Sequence, residues 1–319
     1  MPPLTPSDSS VSTTTSPDVS TSPSMPPTPY TPLTQGKFSA SISIIKQSWA
    51  LLMQDKEIMW FPVLSAVTSL LALIAFGVLY FFLIMGGHWD SAVMTQESSG
   101  SETLSTGGYL ILFAYYLLMT FITNFFLAGI YVIAHARFTG KDLTFNDGMN
   151  GAKAQIERIF LWSLISATVG VILQMIADRS KIIGKIVVMV LGAAWNILTY
   201  FSLPALVIGN TSIPDAFRES ATVIRKNWGE TIIINLGVGL FFGLLTFFFL
   251  LIGILLIIAV PHFLVVIGVI GLDIIFLTLI TIISSSLSAI FKLALYEYAK
   301  TGVVPQGFSP EFIQNAIRK

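Results

Sequence analysis

The chain has 319 residues, 17 basic and 17 acidic side chains, no net charge, 54% hydrophobic residues and only 11% charged ones. A soluble domain carries about 25% charged residues, so this composition excludes an ordinary water-soluble core and, lacking a basic excess, nucleic-acid binding. With no cysteine there is no disulfide, thiolate metal site or cysteine nucleophile.

Residues 1–36 are a different material. Twenty-five of them are Ser, Thr or Pro, with almost no charge. Such a segment buries too little surface to offset its ordering entropy and reads as a disordered tail. It lacks the basic start and apolar stretch of a signal peptide. Ser16-Pro17, Ser22-Pro23 and Thr28-Pro29 are pairs open to phosphorylation or glycosylation.

A helix needs about 20 apolar residues to cross hydrocarbon. Six stretches qualify, at 61–85, 109–134, 159–177, 182–208, 231–259 and 263–291. Pro204 interrupts the fourth. The last two form one apolar run that Pro261 in "VPHF" divides, since proline removes a backbone donor. Three shorter spans would also fit that run. The expected fold is therefore all-α, a polytopic bundle over 37–308.

Charge bias sets its orientation. Lys37, Lys46 and Lys56 flank the first span, and Arg137, Lys141, Lys153 and Arg158 fill loop 135–158. Arg218, Arg225 and Lys226 lie in loop 209–230, and Lys292, Lys300, Arg318 and Lys319 near the C-terminal end. Loop 86–108 has no Lys or Arg. Six spans gather these basic regions on one side, read as cytoplasmic with both termini, in a cell membrane. The turn at 178–185 disagrees, because Arg179, Lys181 and Lys185 would lie outside. Either their side chains snorkel to headgroups, or the third and fourth spans form a hairpin that does not fully cross.

Between the spans lie amphipathic segments. "SIPDAFRESATVIRKNW" (212–228) carries five charges, yet Phe217, Ala221, Ile224 and Trp228 recur on one helical face. Ser212 and Asp215 make a capping-box start, and Pro214 is tolerated in the first turn. Sixty-eight residues earlier, "TFNDGMNGAKAQIERIF" repeats the pattern, with Thr144 and Asp147 at the start and Met149, Ile156 and Phe160 on the stripe. A weaker copy (Ile42, Ile45, Trp49, Leu52) precedes the first span. The chain thus reads as three units, each an amphipathic helix followed by a membrane hairpin.

Such a helix lies in the interface with its basic side toward anionic headgroups. The expected headgroup contacts are Arg218, Arg225, Lys226, Lys153 and Arg158; the expected interfacial anchors are Trp49, Phe217 and Trp228. The plainer alternative is that these helices pack on the span ends and orient them. A short fourth one, over 309–319, is expected from Ser309-Pro310 onward, with Phe312, Ile313, Ala316 and Ile317.

"WSLISATVGVIL" (162–173), "VLGAAWNILTYFSLPALV" (190–207), "ESATVIRKNWGE" (219–230) and "SSSLSAIFKLALYEYAKTGVVPQGF" (284–308) resemble a family of uncharacterised prokaryotic polytopic membrane proteins, known only as a domain of unknown function. The resemblance extends over about 38–308 and implies an integral membrane protein without an assignable activity. More loosely, helix-plus-hairpin units are similar to the membrane domain of some glycerophosphodiester phosphodiesterases. Their catalytic barrel is missing, so no hydrolase residues transfer.

Polar residues inside the spans are the remaining candidates. Asp273 lies near the middle of the sixth span, where a charge is costly and faces a partner or water. It reads either as a proton or cation relay or as a protonated acid bonded to a neighbouring helix. His262, eleven residues earlier on nearly the same face, is about 16 Å away along the axis. His88, His135 and His262 lack metal-ligand spacing, so no metal or other cofactor is expected. Asn124, Gln174, Asn196 and Asn235 are read as interhelical hydrogen-bonders; Gly239 with Gly243, and Ser284 with Ser288, as close-packing pairs suited to self-association.

No acid, base and nucleophile cluster, and no phosphate loop occurs, so no enzyme is expected. The leading expectation is a non-catalytic membrane protein serving membrane organisation, lipid contact or a partner scaffold. The expected partners are the bilayer with its anionic headgroups and a second copy or another membrane protein. The alternative is a small-solute or ion transporter with Asp273 in its pathway.

Overall fold

In hydrocarbon every backbone N–H and C=O must be bonded within the protein, so a long apolar run without β alternation has one stable outcome, the helix. The computed structural model bears this out over the residues it describes, 37–85, 94–96, 102–179, 182–226, 228–260 and 262–310. The tail at 1–36 and the expected helix beyond residue 310 lie outside the described residues.

Helix α1 (Lys37–Gln54) leads through a 3-10 turn at Lys56–Met59 into α2 (Trp60–Met85). A short antiparallel ladder follows, β1 (Met94–Gln96) against β2 (Glu102–Leu104), with Thr95 opposite Thr103. Then come α3 (Thr106–Phe138), α4 (Phe145–Ala154), α5 (Ile156–Arg179) and α6 (Ile182–Leu198). The chain closes with α7 (Ser202–Val207), α8 (Ile213–Lys226), α9 (Trp228–Ala259) and α10 (Phe263–Thr301).

Six of the helical stretches among the described residues are long and apolar enough to cross a membrane, and the fold is all-α. The run 231–291 is two spans. The fourth span is broken before its proline, at Thr199–Phe201, where Ser202 N–H turns back to Thr199 O at 3.0 Å. Pro204 then falls in the first turn of α7, where no intrahelical donor is missed. Helices α3 and α10 overrun the apolar windows, with 33 and 39 residues. Gly302 ends α10 at φ +72°, the left-handed cap that glycine takes without strain.

Most of the buried core lies toward one end of the bundle. It takes Leu52 from α1, Ile58 from the 3-10 turn, Phe61 from the start of α2, Ile130, Tyr131, Ile133 and Phe138 from the end of α3, all of α7, and Leu287, Ile290, Phe291, Leu293 and Tyr296 from α10. Toward the other end Leu71 and Phe82 of α2, Met189 of α6, Ile258 of α9 and Phe263 of α10 are exposed. Large apolar surface of this kind on a spanning helix faces lipid. Gly239 and Gly243 have open space beside them and make no close packing among the described residues.

Phe61 sets the packing at the core end. Its ring is fully buried and meets the Phe145 ring at 4.7 Å between centroids. A Cβ on Gly129 of α3 would stand 2.0 Å from that ring, and one on Gly148 of α4 would stand 2.8 Å from it. Both glycines are required by this close approach. Gly129→Ala is expected to lower the melting temperature of the detergent-solubilised protein. Phe61→Ala is expected to cost about 3 kcal/mol through the cavity it leaves. Combining Gly129→Ala with Phe61→Leu should cost less than the two single changes together, followed by tryptophan fluorescence during heating.

Candidate functional site

Helices α1, α4 and α8 lie at the core end and dock on the spans, α4 through small residues and α1 and α8 through small and large ones together. In α4 the inward residues are Gly148 and Ala152; in α8 they are Ala216 and Ser220, 68 positions later, together with Val223 and Ile224. Ser220 Oγ accepts the backbone N–H of Phe201 at 2.9 Å, satisfying a donor that the break before α7 exposes. In α1, Ser48, Leu51 and Leu52 face inward.

The large apolar residues of the expected stripes are mixed: Leu52 and Ile224 are buried, and Ile45, Met149 and Phe217 are half-buried, but three others are exposed. Trp49 is 39% exposed, Ile156 47% and Phe160 44%. The second stripe is also divided, because the helix breaks at Gln155 and leaves Ile156 and Phe160 in the first turns of α5. Phe217 is half-buried and stacks on Trp195 of α6 at 6.1 Å, so it anchors α8 to a span. The side chains of Trp228 and Lys226 lie outside the described residues.

The cations at this end divide into two groups. One group is tied into the structure. Arg137 at the end of α3 forks onto Asp55, donating from Nε to Oδ2 at 2.5 Å and from Nη2 to Oδ1, and Nη2 also donates to Asp142 at 2.7 Å. Lys300 donates to Glu219 Oε1 at 3.0 Å and to Tyr296 Oη at 3.0 Å, joining α10 to α8. His135 meets Glu297 at 2.5 Å. Arg158, expected at headgroups, instead donates to Asn210 Oδ1 and to Gln155 Oε1 at 2.9 Å, because the turn after α7 comes within its reach. The other group is outward. Arg225 and Lys153 are exposed, and Arg218 has only a 3.7 Å contact with Asp215 of its own helix.

The expected capping box forms in full at Thr144, whereas at Ser212 the hydroxyl and not the backbone N–H meets the Asp215 carboxylate. Thr144 Oγ1 accepts from the Asp147 N–H, and Asp147 Oδ2 accepts the Thr144 N–H at 2.9 Å. Ser212 donates to Asp215 Oδ2 at 2.5 Å and accepts its N–H at 3.4 Å. The bonds from the Thr144 backbone and hydroxyl hold the Asp147 carboxyl below the usual carboxylate range.

The intramembrane candidates stay apart. Asp273 is half-buried against α9, where a Cβ on Gly253 would stand 2.7 Å from its Oδ2. It makes no hydrogen bond or ion pair among the described residues. His262 is exposed at the start of α10, eleven residues away on the same helix axis, and does not join it. Asn124 donates to Ser163 of α5 at 3.0 Å, an interhelical bond as expected, whereas Gln174 bonds Asp178 on its own helix, and Asp178 in turn accepts from Tyr109 at 3.0 Å. The side chain of Asn235 lies outside the described residues.

One constellation escaped the sequence reading. A groove of about 570 Å³ opens between α2, α3 and α10, and Lys292 lies at the basic end of its wall. Counting Lys292 with the terminal cations hid it. The available signal was the run Thr278, Thr281, Ser285, Ser288 and Lys292, spaced alternately by three and four along one helical face.

The buried pair gives a stability prediction. Asp55 is only 7% exposed, so Arg137→Met strands a charge and is expected to cost about 3 kcal/mol or more, while pairing Arg137→Met with Asp55→Leu should recover part of that loss. Thermal unfolding in detergent measures both. The capping box gives a pH prediction. The Asp147 pKa is lowered on folding, so its contribution is present above the ordinary carboxylate range and is lost as pH falls through the folded-state value. Asp147→Asn should therefore be less stable than the parent at neutral pH, with the gap closing in acid.

The comparisons with known proteins fit this picture. No curated protein matches the chain, and the looser likeness to glycerophosphodiester phosphodiesterases is not shown. A family described as "Family of unknown function (DUF6159)" matches residues 106–307, from α3 to just past α10. The match starts later than the expected residue 38, leaving α1 and α2 outside it. It spans more than half of the chain, and with six apolar helices of spanning length this multi-pass membrane protein belongs to the DUF6159 family, a family of unknown function.

Proposed function

We propose that the protein is a non-catalytic component of the cell membrane that gathers anionic lipid around its basic end, with that end and both termini on the cytoplasmic side. The observation that carries this reading is the joint exposure of large apolar side chains and cations at the basic end. Trp49 of α1 is exposed, as are Ile156 and Phe160 where α4 passes into α5, and so are Arg225 and Lys153, which have no ion pair among the described residues. Exposed apolar side chains and exposed cations at one end suit a membrane interface. The gathering of basic regions at one end supports a cytoplasmic assignment under the charge bias of membrane loops.

Arg137, Arg158 and Lys300 do not serve this role, since carboxylates or amides already hold them. Each exposed cation near an anionic leaflet contributes about 1 kcal/mol. In vesicles of phosphatidylcholine with a minority of phosphatidylglycerol, spin-labelled phosphatidylglycerol should be enriched at the protein boundary over spin-labelled phosphatidylcholine. Combining Lys153→Glu, Arg218→Glu and Arg225→Glu should bring the two labels close to parity. Enrichment that survives all three reversals would refute the reading.

A further inference from the structure

The groove between α2, α3 and α10 grades in chemistry along its length. At its basic end Lys292 Nζ stands 4.3 Å from the Tyr200 ring centroid, and no carboxylate among the described residues lies within ion-pairing reach of it. Ser288 and Ser285 lie one and two turns before Lys292 on α10, and Ser65 lines the groove from α2. None of these three hydroxyls has a hydrogen-bond partner among the described residues, so each is available as a donor. Farther along, the hydroxyls are already used within their own helices. Thr281 donates to Leu277 O at 2.6 Å, Thr278 to Ile274 O at 2.8 Å and Thr123 to Met119 O at 2.9 Å. That stretch is walled by Leu127, Phe126 and Leu277. A cation with free donors thus passes into an apolar channel.

Depth fixes what fits. The 39 residues of α10 span about 58 Å against about 30 Å of hydrocarbon. Lys292 lies nine residues before the end of α10 and directly follows the apolar stretch 263–291. The channel leads from there into the apolar layer and opens sideways between spans. A soluble anion would meet the cation but leave the channel unfilled; an acyl chain fills it.

We propose that this groove binds one anionic phospholipid, its phosphate held by Lys292, Ser285, Ser288 and Ser65 and one acyl chain laid along Thr281 and Thr278. Charge-assisted bonds from an ammonium and several hydroxyls are the usual means of holding a phosphate at a low-dielectric site. This site is separate from the interface helices and stands without the reading proposed for them.

Native mass spectrometry of the full chain in detergent tests it. Phosphatidylglycerol and phosphatidylcholine of identical chains are titrated side by side. One phosphatidylglycerol should be retained in preference. Lys292→Met should lower its apparent affinity by about tenfold or more, and Ser285→Ala with Ser288→Ala by about threefold. Lys292→Arg should keep most of the binding. Thr281 is exposed and tolerates bulk, so Thr281→Trp should block the chain channel and lower retention even where Lys292→Met fails to fold. Retention unchanged in Lys292→Met or Thr281→Trp, or equal retention of the two lipids, would overturn the proposal. Displacement of the lipid by inorganic phosphate or glycerol phosphate would overturn it too, by pointing to a soluble anion.

Discussion

The ring of Phe61, wedged where α2, α3 and α4 meet, is the contact on which the core end is built. In lipid there is no hydrophobic gain from bringing two apolar helices together, so association depends on close van der Waals fit and polar bonds. Gly129 and Gly148 supply that fit by presenting bare backbone to the ring. With α2 and α3 held there, Asp55 comes beside Arg137, and Glu57 accepts the Phe145 N–H at the start of α4. Phe308 then closes over the end of α3, edge-on to Phe138 at 5.9 Å, while Gln47 of α1 exchanges hydrogen bonds with Ser309. The segments that lead into and out of the bundle therefore meet at one end.

The six spans were legible because hydropathy measures what a bilayer selects, and α2, α9 and α10 read directly as uninterrupted apolar runs. The helix starts at Thr144 and Ser212 were legible for a local reason, since cap and carboxylate are three residues apart. The faces were legible only in part. The stripes hold Leu52 and Ile224, which are buried, and Trp49, which is exposed as an interfacial anchor would be, but they do not tell these apart from Ile156 and Phe160, which are exposed. In a membrane, bulk apolar side chains have a partner outside the protein, and the inner surface goes to residues that permit close approach. Gly148, Ala152, Ala216 and Ser220 carry that signal by smallness, which a hydrophobic stripe does not score. Pairs such as Arg137 with Asp55 join residues 82 positions apart, and no local pattern reveals them.

The repeat also has a clearer meaning in three dimensions. What recurs between α4 and α8 is a start, a pair of small inward residues four apart, and a cation left outside. The units then diverge: α4 breaks after ten residues and passes directly into α5, whereas α8 runs fourteen residues alongside the buried α7. Divergence follows what each copy must cover. Helix α4 covers Phe61, while α8 covers the chain break at 199–201 through Ser220 and meets Glu219, Tyr296 and Lys300 at its side.

The exposed far halves of the spans carry a mechanical consequence. Toward that end α9 and α10 stack on each other, Phe249 over Phe276 at 3.7 Å, while Leu255, Ile258, Phe263 and Leu264 face outward. Rods clamped at one extremity and loose at the other can lean without breaking the clamp. A bilayer thicker or thinner than the apolar length is accommodated by such leaning, at a fraction of a kcal/mol per ångström of mismatch. The protein can thus keep one leaflet's architecture constant while conforming to the varying depth of the other.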